Sequence, residues 1–92
     1  MSRALVVYDI ADNIRRTTLS TLLTEYGPRV QLSVFEIELP ATADRVLLLS
    51  RIRAIIDRRE DQVRIYEMPL HATSRTIIGE RVLEERRGYY IL

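Results

Sequence analysis

Ninety-two residues, 47% of them hydrophobic, make one domain with one core, small enough that pairing with a second copy would help it. The absence of Cys excludes disulfides and thiolate metal sites, and a single His excludes an imidazole cluster; any metal is left to carboxylates, which suit a hard ion. A formal net charge of +1 excludes a globally basic surface, although every one of the basic residues is Arg, whose planar fork fits phosphates and carboxylates.

The chain opens with no basic segment followed by an apolar signal region, and no apolar run reaches membrane-spanning length. A cytoplasmic protein with no membrane association is the expectation. The first element is the β-branched run Ala4-Leu5-Val6-Val7-Tyr8, which reads as a central strand buried on both faces and ending at Asp9. Asp12 is an N-cap candidate. In the helix that follows, Leu19, Leu22, Leu23 and Tyr26 fall on one stripe, and Gly27-Pro28 ends it.

From Arg29 to Leu39 the pattern is extended but slips phase. Val30, Leu32 and Val34 share one face, whereas Phe35, Ile37 and Leu39 follow the other parity. A period of two cannot slip without a bulge or turn, so two short strands or one bent strand are expected, with the break near Ser33 to Phe35. Pro40 ends this segment. Thr42 is the predicted cap of a second helix running to about Asp57, with Leu48, Leu49, Ile52, Ile55 and Ile56 inward. Arg58 to Asp61 is a polar turn, and Gln62 to Met68 alternates as a strand does. The order β-α-β-β-α-β, with right-handed crossovers, gives an α+β, ferredoxin-like sandwich of one sheet and two helices. The core covers about residues 3–68. Arg75 to Gly79 is the candidate for an additional C-terminal strand, and the apolar end Tyr89-Tyr90-Ile91-Leu92 is expected to dock on a partner subunit.

Chemistry concentrates at Tyr8-Asp9-Ile10-Ala11-Asp12-Asn13-Ile14-Arg15-Arg16. Two neighbouring carboxylates beside a helix N-terminus can hold Mg²⁺, and Mg²⁺ orients water and stabilises phosphate charge. Arg15 and Arg16 in a first helical turn oppose the macrodipole. A bound anion explains that placement, and so does local pairing with Asp9, Asp12 or Asn13. Arg29 beside a helix C-terminus has the same double reading. Tyr66, Tyr89 and Tyr90 fit base stacking or an interface equally well, and His71 sits in a loop with no nucleophile partner.

These segments resemble the CRISPR-associated protein 2 family. The matching pieces are Leu5-Val6-Val7-Tyr8-Asp9-Ile10 with Asp12, then Arg15-Arg16, then Arg29-Val30-Gln31-Leu32-Ser33-Val34-Phe35-Glu36, and Asp61-Gln62-Val63-Arg64-Ile65-Tyr66. The resemblance implies a ferredoxin-like homodimer paired through its sheets, with a C-terminal strand crossing to the partner. It implies a metal-dependent endonuclease acting on single-stranded RNA or double-stranded DNA in spacer acquisition and antiviral defence. In that scheme Asp9 is the catalytic residue and ligand of Mg²⁺ or another divalent ion such as Mn²⁺. Arg15, Arg16, Arg29 and Phe35 handle substrate, and Tyr8, Asp12 and Ser33 support them. Asn13 stands where many relatives carry a second acid. The family also implies an alternative: a non-catalytic adaptor that binds duplex DNA and bridges dimers of the CRISPR integrase subunit.

Overall fold

The computed structural model describes residues 2–69 and 76–79. The elements are β1 (Ser2–Asp9), α1 (Asn13–Thr24), β2 (Arg29–Gln31), β3 (Val34–Leu39), α2 (Thr42–Ile55) and β4 (Gln62–Pro69). The four strands form one antiparallel sheet in the order β2-β3-β1-β4, and both helices lie on one face, so the ferredoxin-like expectation holds.

Strand parity sets this two-layer structure. Ala4, Val6 and Tyr8 of β1 and Phe35, Ile37 and Leu39 of β3 point to the helices, where Leu19, Leu22 and Leu23 of α1 and Leu48 and Ile52 of α2 close the core. Each large aliphatic or aromatic side chain buried there contributes roughly 1.5–3 kcal/mol. The opposite face carries Leu5, Val7, Val34, Tyr66 and Met68, and no described element of this chain covers it. That corrects one expectation: β1 is central in the sheet, but Leu5 and Val7 are only half-buried.

Asp12 caps α1 as its sequence position predicted, its Oδ2 accepting from the Arg15 N–H at 2.9 Å. For α2 the predicted cap is displaced by one residue. Thr42 is the first helical residue, Ala41 takes the cap position, and Asp44 supplies the hydrogen bond by accepting from the Ala41 N–H at 3.0 Å. The helix stops at Ile55 rather than Asp57 because Ile56 is already extended.

The phase slip in the middle of the chain is a tight turn at Leu32-Ser33 together with a register shift between Arg29 and Gln31, just ahead of the predicted break. Residues 76–79 of the expected fifth strand pair with no described strand of this chain, so the described sheet has four strands. Arg75, His71, Tyr89, Tyr90 and the apolar terminus lie outside the described residues.

Candidate functional site

Asp9 ends β1 opposite Gln62 of β4. Its parity is that of Leu5 and Val7, so its carboxylate emerges at the end of the uncovered sheet face, exposed. Among the described residues no hydrogen bond or ion pair engages that carboxylate. It opens into a cleft of about 250 Å³ lined by Tyr8, Asp9, Ile10, Arg16, Leu32 and Ser33.

Tyr8 builds one wall of this cleft. Its backbone N–H donates to the Ser33 carbonyl at 3.1 Å, and its phenol donates to the Leu32 carbonyl at 3.2 Å. Both carbonyls of the β2–β3 turn are therefore held by the residue that precedes Asp9. Burial pushes the Tyr8 phenol above its usual pKa, while Arg29 and Arg16 pull the other way. It stays a neutral donor at physiological pH.

Arg16 forms the other wall. Its guanidinium donates to the Ile10 carbonyl at 2.7 Å and to the Asn13 side-chain oxygen. Asn13 thus accepts from Arg16 without adding a negative charge to the cleft. Ser33 also lines the cleft.

Arg15 points elsewhere. Its Nε donates to Asp61 at 2.8 Å, and its Nη2 donates to Asp61 at 3.2 Å and to Glu60 at 3.1 Å. The Asp61 side chain is fully enclosed, with 0% exposure, and also accepts from the Ala11 N–H at 2.9 Å and the Asp57 N–H at 2.8 Å. These bonds hold the Asp61 carboxyl far below the usual carboxylate range, the bond from Arg15 contributing most. The same pairing raises the Arg15 guanidinium above its ordinary value. Neither sequence reading named this partner: the Arg15 side chain pairs not with Asp9, Asp12 or Asn13 but with Asp61, 46 residues away. Nothing local in the sequence marks Asp61; only the fold brings the α2–β4 turn against the segment after β1.

Arg29 and Phe35 were expected at the substrate. Phe35 is wholly inside the core, 0% exposed, and Arg29 is 7% exposed with its guanidinium carbon 5.2 Å above the Phe35 ring centre. Tyr8 stacks on the same ring with centroids 6.3 Å apart. Phe35 therefore supports the cleft wall from within the core and cannot touch a substrate.

One Asp12 oxygen caps α1, and Asp12 is not among the residues that line the Asp9 cleft. Among the described residues no three His, Cys, Asp or Glu side chains converge. One exposed carboxylate per chain, with no His or thiolate, does not make a zinc site. It does fit Mg²⁺, which is held through one or two carboxylates together with substrate phosphate and water.

The family follows from comparison with known proteins. The model of CRISPR associated protein Cas2 matches residues 1–76. The chain belongs to the CRISPR-associated Cas2 family. A Cas2 relative from Thermus thermophilus, named a CRISPR-associated endonuclease, is 42% identical over 95% of this chain and 92% of its own length. The solved structure of a hypothetical protein, TT1823, from Thermus thermophilus superposes with a TM-score of 0.74 at 38% identity, covering 89% of this chain and 96% of that one. A chain in a partial Cas6-RT-Cas1–Cas2 complex gives a TM-score of 0.66 at 36% identity, covering 73% of this chain and 78% of that one. Among the described residues of this Cas2 family member, no helix is long and apolar enough to cross a membrane.

Proposed function

We propose that this Cas2 chain is a divalent-metal-dependent endonuclease of CRISPR spacer acquisition that works as a homodimer, with Asp9 of each copy at the scissile phosphate. The exposed, unengaged Asp9 carboxylate at the end of the uncovered sheet face carries this reading, and the endonuclease and endoribonuclease names of relatives at 35–42% identity support it.

The sheet face explains why two copies are needed. Asp9 shares its parity with the apolar residues Leu5 and Val7, so a partner related by a two-fold axis near the Asp9 end of β1 would bring its own Asp9 close to the first. Two carboxylates then supply what one chain lacks. A bound Mg²⁺ or Mn²⁺ would supply Lewis-acid stabilisation and a more acidic water at the phosphodiester. The chain's own part is to position the reacting groups. Asp9 presents a ligand oxygen from a strand end whose neighbours are tied on both sides, Tyr8 to the β2–β3 turn and Ala11 to Asp61. Arg16, anchored on Ile10 and Asn13, places a positive charge in the cleft for a phosphate oxygen. Single-stranded RNA and duplex DNA present the same backbone anion to this arrangement.

The test is cleavage of single-stranded RNA and duplex DNA with Mg²⁺, comparing wild type with Asp9→Asn purified identically. The expected result is a loss of at least about 100-fold in rate, with nucleic-acid binding retained. Equal cleavage by both proteins would assign the activity to a contaminant.

A second reading draws on the likeness to a chain held in a Cas1–Cas2 complex. In it the same surface binds duplex DNA and bridges integrase subunits without cutting. Asp9→Asn then leaves spacer integration by the reconstituted complex unchanged, whereas the nuclease reading expects it to fall.

A further inference from the structure

Ten arginines lie in the described part of the chain, and seven of them are engaged through their side chains. Arg3 pairs with Glu38, Arg15 with Asp61 and Glu60, Arg45 with Glu67, and Arg51 with Glu25. Arg16 holds Ile10 and Asn13, Arg64 donates to Gln62, and Arg29 lies over Phe35. Arg53, Arg58 and Arg59 are exposed and have no side-chain partner among the described residues. Two of these three form the turn between α2 and β4.

That turn does not swing loose. The Asp57 N–H donates to the Asp61 carboxylate at 2.8 Å, and the Asp61 N–H donates back to the Asp57 carbonyl at 2.8 Å. The Glu60 N–H donates to the same carbonyl at 3.1 Å, and the Arg59 N–H to the Asp57 side chain at 2.9 Å. Asp61 then fastens the closed turn to the Ala11 N–H and to Arg15. Arg58 and Arg59 are thus carried on a rigid platform bolted to the segment two residues past Asp9. The acids of that platform are engaged within it: Asp57 on its own turn, Asp61 and Glu60 on Arg15. What the turn leaves exposed without a side-chain partner among the described residues is a pair of guanidinium groups.

Around Asp9 this places guanidinium groups on two flanks. Arg16 lies on the β3 side, in the cleft with Leu32 and Ser33. The Arg58-Arg59 turn lies on the β4 side, next to Gln62, the strand partner of Asp9. We infer that Arg58 and Arg59 form a second contact for the sugar–phosphate backbone of the nucleic acid that crosses Asp9, held in register with the cleft by Asp61. The inference rests on the proposed nucleic-acid role of the site and adds to it the surface along which the strand continues. Adjacent exposed guanidinium groups with no carboxylate partner recognise backbone phosphates without regard to base sequence.

The experiment measures binding of a short fluorescent DNA duplex and a single-stranded RNA of mixed sequence from about 50 to 200 mM salt. Wild type is compared with Arg58→Gln/Arg59→Gln and with Arg45→Gln/Arg51→Gln, which removes the same charge from arginines that are already ion-paired. The expected result is a slope of log K against log salt shallower by about two for the duplex, or about 1.4 for the RNA, in the first variant only. Affinity at the lowest salt should fall roughly tenfold, alike for different sequences. Which probe shows the change tells DNA from RNA. Wild-type-like binding by Arg58→Gln/Arg59→Gln overturns the inference, and so does an equal loss in the control variant. A lowered melting temperature with unchanged binding would make these arginines partners of the α2 carboxyl end and likewise overturn it. If wild type binds neither probe, the nucleic-acid reading of the whole site falls, and this inference with it.

Discussion

Arg15 and Arg16 are neighbours in sequence and share one helical turn, yet their side chains serve different ends. Arg16 turns into the cleft beside Asp9, whereas Arg15 turns back to Asp61 and Glu60. The difference is one of geometry: successive helical residues diverge by about 100°, so only one of the two can face the cleft. Asp61 is the residue on which this arrangement depends. Its folded-state pKa is depressed, so its stabilising effect is complete above the unfolded carboxylate value near 4 and disappears as pH falls toward the folded value. Asp61→Asn should therefore lower the melting temperature at neutral pH, with the gap from wild type closing below about pH 4. Thermal scans of both proteins across that range check it, and a gap independent of pH would separate the effect from the Asp61 charge. Hydrogen exchange at the Ala11 amide should quicken in the same variant, because its acceptor has changed.

At the scale of elements, the link from α1 through the β2–β3 hairpin forms the cleft wall opposite Arg16, and Gly27 fixes how closely it approaches the sheet. The Tyr26 and Pro28 carbonyls accept from the Glu38 and Glu36 N–H groups at 3.2 and 3.0 Å, which draws Gly27 onto β3. A Cβ on Gly27 would stand 2.0 Å from the Glu36 carbonyl oxygen, a backbone atom that cannot turn aside. Gly27→Ala should cost about 1–3 kcal/mol or more by forcing the link off β3. Denaturant unfolding checks this, and a cost under about 0.5 kcal/mol would mean the link yields easily. Because the hairpin positions Leu32 and Ser33, the same variant should also weaken nucleic-acid binding at the cleft.

At the scale of the molecule, the sheet is two-sided and the described chain covers one side. Leu5, Val7 and Val34 are half-buried on the other, and Tyr66 and Met68 are 52% and 37% exposed there. These apolar residues share the face with Arg3, Glu36, Glu38 and Arg64; such a mixed, uncovered sheet face suits an interaction surface, and a second copy is the partner proposed above. Tyr66 lies opposite Leu5 across the β1–β4 pair and projects from that face, so a charge there is tolerated in a monomer and not within an interface. Tyr66→Glu should give a folded monomer, read by sedimentation, and should abolish cleavage by separating the two Asp9 carboxylates. A variant that stays dimeric would place the interface elsewhere. A monomer that cuts at the wild-type rate would show that one Asp9 suffices.

The strands, both helices, the Asp12 cap and the core stripes were legible in the sequence because each is a local pattern: a period of two or 3.6, a capping side chain, or a Gly-Pro stop. The phase slip after Arg29 announced the hairpin for the same reason, since side-chain parity is a property of consecutive residues. The meeting of Asp9 and Arg16 in one cleft was legible because a strand end and a helix start lie within one short segment. Three things were decided only by the tertiary structure. Asp61 became the partner of Arg15 and Ala11 because antiparallel pairing of β1 with β4 brings distant segments to one end of the sheet. Phe35 and Arg29 became supports because helix packing encloses their face. Arg58 and Arg59 stood out only once seven of the other eight described arginines had found partners. Ion pairs and close contacts between remote residues leave no periodic trace along a chain, so a sequence names the charges and the fold chooses which remain for a ligand.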